Sequence, residues 1–214
     1  MTTAPAAGPG RAPSARQDEL LERGYRYVLA HGLADLSLRP LAKAIGSSPR
    51  VLLYLFGSKD GLIRALLDRA RRDELAAISA LSEDLHPADP AQQADLAETA
   101  QQVWRWLADP AHRHLLGLWV ESYGRSLTDP GGPWAGFAAQ TVRDWLELLT
   151  AHQPPSLRGS AAGAGQRTAV LALLRGALLD LLATGDTERV GRAVQQSVAA
   201  LGSASQLAAI AVSG

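Results

Sequence analysis

Apolar positions recur at spacings of three and four along most of the chain. No run alternates over the length of a strand, so the pattern predicts an all-α protein. In 16–31, Leu20, Leu21, Tyr25, Val28 and Leu29 mark one helical face, and His31-Gly32 ends it with a left-handed glycine cap. Ser37 stands where it can cap a second helix starting at Leu38. Pro40 is tolerated in its first turn, and Leu38, Leu41, Ala42 and Ile45 face inward. Gly46 stops that helix. Ser48 caps a third, over roughly 49–55, with Pro49 at the first position, where a missing amide costs nothing. Phe56 falls in the core and Gly57 ends the run. Ser58 caps a fourth helix, from Lys59 to about Ala80, whose apolar set is Leu62, Ile63, Leu66, Leu67, Ala70 and Leu75.

After a break at HPADP (86–90), helices are predicted over 91–108, from Pro110 to about 127, over 134–151, over 166–184, and from Asp186 to about 201. TDPGGP (128–133) reads as a loop and QPPSLRGSAAGAG (153–165) as a long polar or small-residue link. The expected organisation is a disordered tail (1–15), a three-helix head (16–58), a connecting helix (59–80), a helical body (81–206) and a short C-terminal tail (207–214).

Composition narrows the function. Apolar residues make up 47% of the 214, enough for a folded core. With no cysteine there is no disulfide scaffold and no thiolate chemistry. No phosphate-cradling glycine loop or zinc-ligand cluster occurs, and Ser58-Lys59-Asp60 is a helix start, not a nucleophile set, so an enzyme is not expected, nor a cofactor. His112 and His114 lie two apart on a helix and diverge, so no metal site is expected there. No apolar run nears 20 residues, and the N-terminus MTTAPAAGPGRAPSA lacks the apolar stretch of a signal peptide; a cytoplasmic protein without membrane contact is expected. The formal net charge of zero hides a division. Residues 1–72 carry twelve Lys and Arg against six Asp and Glu; residues 73–214 carry nine against fifteen. A basic head on an acidic body suggests that only the head meets a polyanion.

The head's punctuation explains how. A helix that ends at Gly46, turns through Ser47-Ser48 and restarts at Pro49 is a helix-turn-helix unit, whose second helix can enter a major groove. With Leu41, Ala42, Ile45, Leu52 and Phe56 turned inward, Pro49, Arg50, Val51 and Tyr54 form the outward face. Arg50 can donate two hydrogen bonds to a guanine edge and Val51 can touch a thymine methyl. The helix starts at 38, 49 and 59 offer free amides to phosphate, so Ser37, Arg39, Ser48 and Lys59 join the DNA-binding candidates.

Residues 37–62, SLRPLAKAIGSSPRVLLYLFGSKDGL, resemble the DNA-binding domain of the tetracycline-repressor (TetR) family. Leu41, Ala42, Ala44 and Gly46 match its core and turn, Ser48 its recognition-helix cap, Phe56 its closing aromatic, and Ser58-Lys59-Asp60 its next helix start. The resemblance covers about 16–67. Two positions depart from it: Arg50 and Val51 stand where the family often has small residues, and the tyrosine falls at 54 instead of 53. The resemblance implies phosphate contacts by Tyr54 and Lys59 and base contacts by Arg50. It further implies a homodimer on a near-palindromic DNA operator, a small effector in the body, and regulation, most simply repression, of transcription.

In the body, rigid aromatic rings are the natural pocket walls, and Trp104, Trp119, Tyr123, Phe137 and Trp145 are the ligand-site candidates, with plain core packing as the competing role. Trp104 and Trp106 point in different directions, so at least one turns toward solvent or a cavity. Within the resemblance, the last two long helices supply the dimer surface, through Leu171, Leu174, Leu178 and Leu182 and through Val190, Val194, Val198 and Leu201; these positions equally suit a monomer core. The alternative from another class is a helical protein–protein adaptor that keeps the three-helix head without reading DNA. The basic surplus of the head argues against it.

Overall fold

A computed structural model describes residues 15–33, 35–84 and 96–212. Of the expected tails at 1–15 and 207–214, residues 1–14 and 213–214 lie outside the described residues, as does the expected break at 86–90, while 207–212 belong to the last helix. Among the described residues the chain is all-α. Helices α1 (Ala15–His31), α2 (Leu38–Ala44) and α3 (Pro49–Phe56) form the head, and α4 (Lys59–Asp84) runs from it into the body. The body comprises α5 (Leu96–Ala108), α6 (Arg113–Thr128), α7 (Phe137–Ala151), the short α8 (Pro155–Arg158), α9 (Ala161–Thr184) and α10 (Thr187–Val212). A 3₁₀ turn at Pro110–His112 opens α6, with the Asp109 side chain accepting from the Ala111 amide. No described helix is long and apolar enough to cross a membrane.

Two cores share α4. Its first half, with Leu62, Ile63, Leu66, Leu67 and Ala70, closes the head over Leu20, Tyr25, Val28, Leu41, Ala42, Ile45 and Leu52. Leu118 of α6 and Trp134 of the loop before α7 pack into this same cluster, so two body residues help to seal the head. Leu81 at the far end of α4 belongs to the second core, built from α5, α6, α7, α9 and α10.

The head's punctuation matches its sequence. Gly46 and Gly57 hold φ of +68° and +77°, a region costly for any residue with a Cβ, and each ends its helix abruptly. Ser48 caps α3 by accepting the Val51 amide at 3.3 Å, and Ser58 caps α4 by accepting the Gly61 amide at 2.9 Å. Ser37 does precede α2, but its side chain makes no cap bond; its backbone carbonyl accepts from Leu41 instead.

Three other expectations change. Leu75 is 41% exposed and is not part of α4's buried face. Glu74 takes the inward position there, and one residue's rotation carries Leu75 out to solvent. The link at 153–165 is mostly helical: Ser160 caps α9 by accepting from Gly163, five residues before the predicted start. A Cβ at Gly163 would lie 2.0 Å from the Leu157 carbonyl oxygen, so only glycine lets α8 fold against α9. The small residues that suggested a loop are there for close approach. Finally, α4 runs to Asp84 and α10 to Val212, beyond the ends that periodicity indicated.

Candidate nucleic-acid interface and effector cavity

Helix α3 is held from beneath by Leu52, which is buried, while Phe56 packs half-buried at its end. Its other side stands clear. Arg50 is exposed, Val51 is exposed, and Tyr54 is 81% exposed, the ring reaching away from every helix of the head. Pro49 is half-buried at the helix start. Leu53 is exposed on the same helix as well, a position that the sequence alone did not single out. Ser37, Arg39 and Lys59 come together around one open depression where the starts of α2 and α4 meet, beside Asp35. Among the described residues neither Arg39, Arg50 nor Lys59 forms an ion pair or side-chain hydrogen bond within the chain. Three cations are thus free to engage an anionic partner, and they flank an exposed helix about as wide as a major groove admits.

The body contains a cavity of about 50 Å³, partly open, between α4, α5, α6, α7 and α9. Of the five aromatic candidates, Trp119, Phe137 and Trp145 line it. Tyr123 sits one turn beyond Trp119, with ring centroids 5.2 Å apart, and its hydroxyl accepts from Arg175, which lines the cavity. Trp104 does not line it. It is buried in the body core, its indole nitrogen directed at Gly191 of α10. Trp106 takes the wall position instead and stacks on His112, centroids 4.3 Å apart. The two-residue spacing predicted that these indoles diverge without saying which faces the cavity. His112 also bonds the Trp106 carbonyl through Nδ1 at 2.8 Å, and the described residues hold no cluster suited to a metal.

One wall residue had no sequence signal at all. Glu74 is 5% exposed, yet its Oε1 accepts from both indoles, Trp119 Nε1 at 3.1 Å and Trp145 Nε1 at 3.0 Å. Burial, reinforced by the nearby charge of Asp144, pushes its carboxyl above the ordinary range, although the Trp145 N–H works against this. Asp144 on α7 is itself buried. Arg71 Nη2 lies 2.7 Å from its Oδ2, an ion pair too bent to count as a hydrogen bond, and Gln140 donates to its Oδ1 at 3.2 Å. A carboxylate inside an apolar helix stripe reads as a solvated position, and only the convergence of α4, α6 and α7 makes it a cavity wall.

The dimer candidates need correction. Leu171, Leu174, Leu178, Val190, Val194 and Val198 are buried in the chain's own core, and Leu182 and Leu201 pack half-buried against it. The three buried leucines line the cavity, and the valines belong to the same cluster as the buried residues of α5. What α9 leaves in the open is its other side, where Ala172, Gly176, Leu179 and Ala183 form an exposed apolar stripe at spacings of four, three and four.

Head and body are joined by polar contacts on two sides. The Glu121 carboxylate of α6 accepts the Leu33 amide, with its two oxygens 2.9 and 3.0 Å away, just past the end of α1. Tyr25 of α1 donates its hydroxyl to Asp73 of α4 at 2.8 Å. Burial, followed by that bond to a carboxylate, holds the phenol well above its usual range. Residues 73 and 74 therefore face opposite ways, one to the head and one to the cavity.

No protein-family model and no curated protein matches the chain. Solved structures do. A TetR transcription regulator from Haloarcula marismortui superposes with a TM-score of 0.63 at 18% identity, over 87% of this chain and 96% of that one. A transcriptional regulator from Rhodococcus sp. RHA1 gives 0.66 at 18%, over 89% and 96%. The multidrug binding protein EbrR complexed with proflavin gives 0.62 at 26%, over 87% and 99%. The chain thus has the architecture of the TetR-type regulators: a helix-turn-helix head on a helical body, at sequence identities where fold alone is secure.

Proposed function

We propose that the chain is a transcriptional regulator that binds a near-palindromic DNA operator as a homodimer and changes its hold on DNA when a small molecule enters the body cavity. The reading is that of a repressor. The observation that carries it is α3, a capped helix standing free of its core with Arg50, Val51 and Tyr54 outward and unengaged. Arg50 and Val51 are assigned to base edges. Tyr54, Lys59, Arg39 and the helix starts at Ser37, Ser48 and Pro49 are assigned to phosphates.

Dimerisation is supported by α9. A helix that is apolar on every side is ordinarily covered on every side, yet Ala172, Gly176, Leu179 and Ala183 lie open in the single chain. A second copy packing there places two heads on a two-fold axis, as reading two half-sites requires. Coupling is assigned to α4, which carries Glu74 in the cavity wall and Leu62, Ile63 and Leu66 in the head core. A mobility-shift assay on DNA flanking the chain's own gene, with a sizing measurement, tests the proposal. A monomer with no preference for that DNA over scrambled duplex would instead establish the adaptor.

A further inference from the structure

One buried carboxylate oxygen of the cavity wall has no hydrogen-bond partner. Glu74 Oε1 is satisfied by two indole N–H groups, but Oε2 is buried with no partner. Beside it, Asp144 pairs with the guanidinium of Arg71, whose own Nη1 is also buried without a hydrogen bond. Arg71 is thus committed to Asp144, and among the described residues it forms no ion pair with Glu74. The other charged group of the cavity, Arg175, is engaged elsewhere: its Nη1 donates to the Tyr123 hydroxyl at 2.8 Å, and its guanidinium lies 5.2 Å from that ring's centroid. It makes no ion pair with Glu74. Among the described residues the other polar wall residue is Ser122, whose hydroxyl is given to the Leu118 carbonyl.

Around the unpaired oxygen the walls are aromatic: Trp106, Trp119, Trp145 and Phe137. Ring faces carry the negative end of a quadrupole and attract cations that are weakly hydrated. A buried, unpartnered acceptor strongly disfavours an apolar occupant, which leaves it unpaired, and an anionic one, which adds repulsion. An occupant with N–H donors and a delocalised positive charge removes both faults at once. Resting on the reading of this cavity as the effector site, we infer that its ligand class is a flat aromatic or lipophilic cation whose N–H groups meet Glu74 Oε2. At about 50 Å³ the empty cavity is smaller than a bound ring, so its side chains separate on binding. Glu74 and the rings that move with it then act on α4 directly. Burial works against the ionised form of Glu74, and a cation beside it works in favour of that form.

The test uses the full-length chain and two probes of one shape, benzamidine as the cation and benzamide as its neutral counterpart, followed by tryptophan fluorescence and calorimetry. The expected result is a preference for benzamidine of about tenfold or more in the wild type. Glu74→Gln should remove that preference, weakening benzamidine far more than benzamide; Asp144→Asn should reduce it less. Equal affinity for the two probes in the wild type, which needs no variant to fold, overturns the inference, as does an undiminished preference in a folded Glu74→Gln. The two proposals fail separately. Specific DNA binding without a cation preference leaves the regulator and removes the ligand class, whereas a cation preference without DNA binding does the reverse.

Discussion

The head and the body of this chain are both helical, but they are built by different rules. The head uses short helices stopped by glycines at positive φ and started by serines whose hydroxyls close the first turn. Its core is filled, with Leu20, Leu41, Leu52, Leu62 and Leu66 essentially inaccessible. The body uses long helices and leaves a gap in the middle, and buried side-chain atoms without hydrogen bonds gather near it on α4 and α7, at Arg71, Glu74, Thr141 and Asp144. A filled core fixes the position of a surface, which suits the reading of a rigid duplex. A core with a gap and unsatisfied polar atoms is unstable by comparison, and it gains most from a molecule that fills it. Under the proposed function, rigidity falls where DNA would be read and incompleteness where a ligand would enter.

The largest effect that can break this contrast is on stability. Leu66→Ala, at a position with 0% exposure in the head core, should cost about 3–5 kcal/mol, near the top of the range for such truncations. Leu174→Ala, in the wall of the existing cavity, should cost nearer 2 kcal/mol, because part of its side chain already lacks neighbours to lose. Urea unfolding of both variants measures the difference. Equal costs would mean that the body is as well filled as the head.

The next effect is on DNA. Arg50→Ala should lower operator affinity by about 1–3 kcal/mol and relax preference at one base position, while Lys59→Ala should weaken all sequences alike and flatten the salt dependence by about one phosphate. Binding curves on operator and scrambled duplex at several salt concentrations separate the two roles. If Lys59→Ala alters sequence preference, the assignment of that helix start to the backbone is wrong.

The same contrast explains what the sequence disclosed. The head was legible because each of its decisions is local. Gly46, Ser48, Pro49 and Gly57 act within a turn of where they stand, and the inward and outward sides of α3 follow from their spacing. The body's site was not, because nothing near Glu74 in the chain marks it. Its neighbours Trp119 and Trp145 are 45 and 71 residues away, and only packing brings them to one oxygen. Leucines and valines on α9 and α10 were visible as apolar stripes, but an apolar stripe does not say whether its cover is the same chain or another. The link at 153–165 misled for a third reason: small residues serve both loops and tight helix contacts, and Gly163 against Leu157 is the latter.

A smaller effect concerns the joint between the two regions. Glu121→Gln keeps the shape of the α6 contact and removes its charge, weakening the bond to the Leu33 amide by about 1 kcal/mol. Operator affinity without ligand should change little. The ligand's effect on that affinity, expected at about 1–3 kcal/mol for such switches, should shrink, because one of the polar ties between cavity helices and head is slackened. Measuring operator affinity with and without ligand in both proteins gives the coupling directly. An unchanged coupling would leave the α1–α4 contacts, Tyr25 with Asp73 and Arg69 with Glu22, as the polar ties that matter.

The smallest effect is a slope with pH. Glu74's carboxyl is held above its ordinary 4.5, by burial first and then by Asp144. The folded chain therefore keeps a proton that the unfolded chain has already lost, so the unfolded state binds fewer protons and the stability slope is negative. The stabilisation from this group is complete below the ordinary carboxylate range and is lost as pH rises through the elevated folded value. Each tenfold gain in proton affinity on folding corresponds to about 1.4 kcal/mol of that loss. Glu74→Gln cannot titrate, so its unfolding free energy should fall less than the wild type's between about pH 4 and about pH 8, the difference growing upward from the ordinary carboxylate range. If the Glu74→Gln and wild-type curves run parallel, burial does not hold the Glu74 carboxyl above its ordinary range, and the cavity carries an ionised carboxylate.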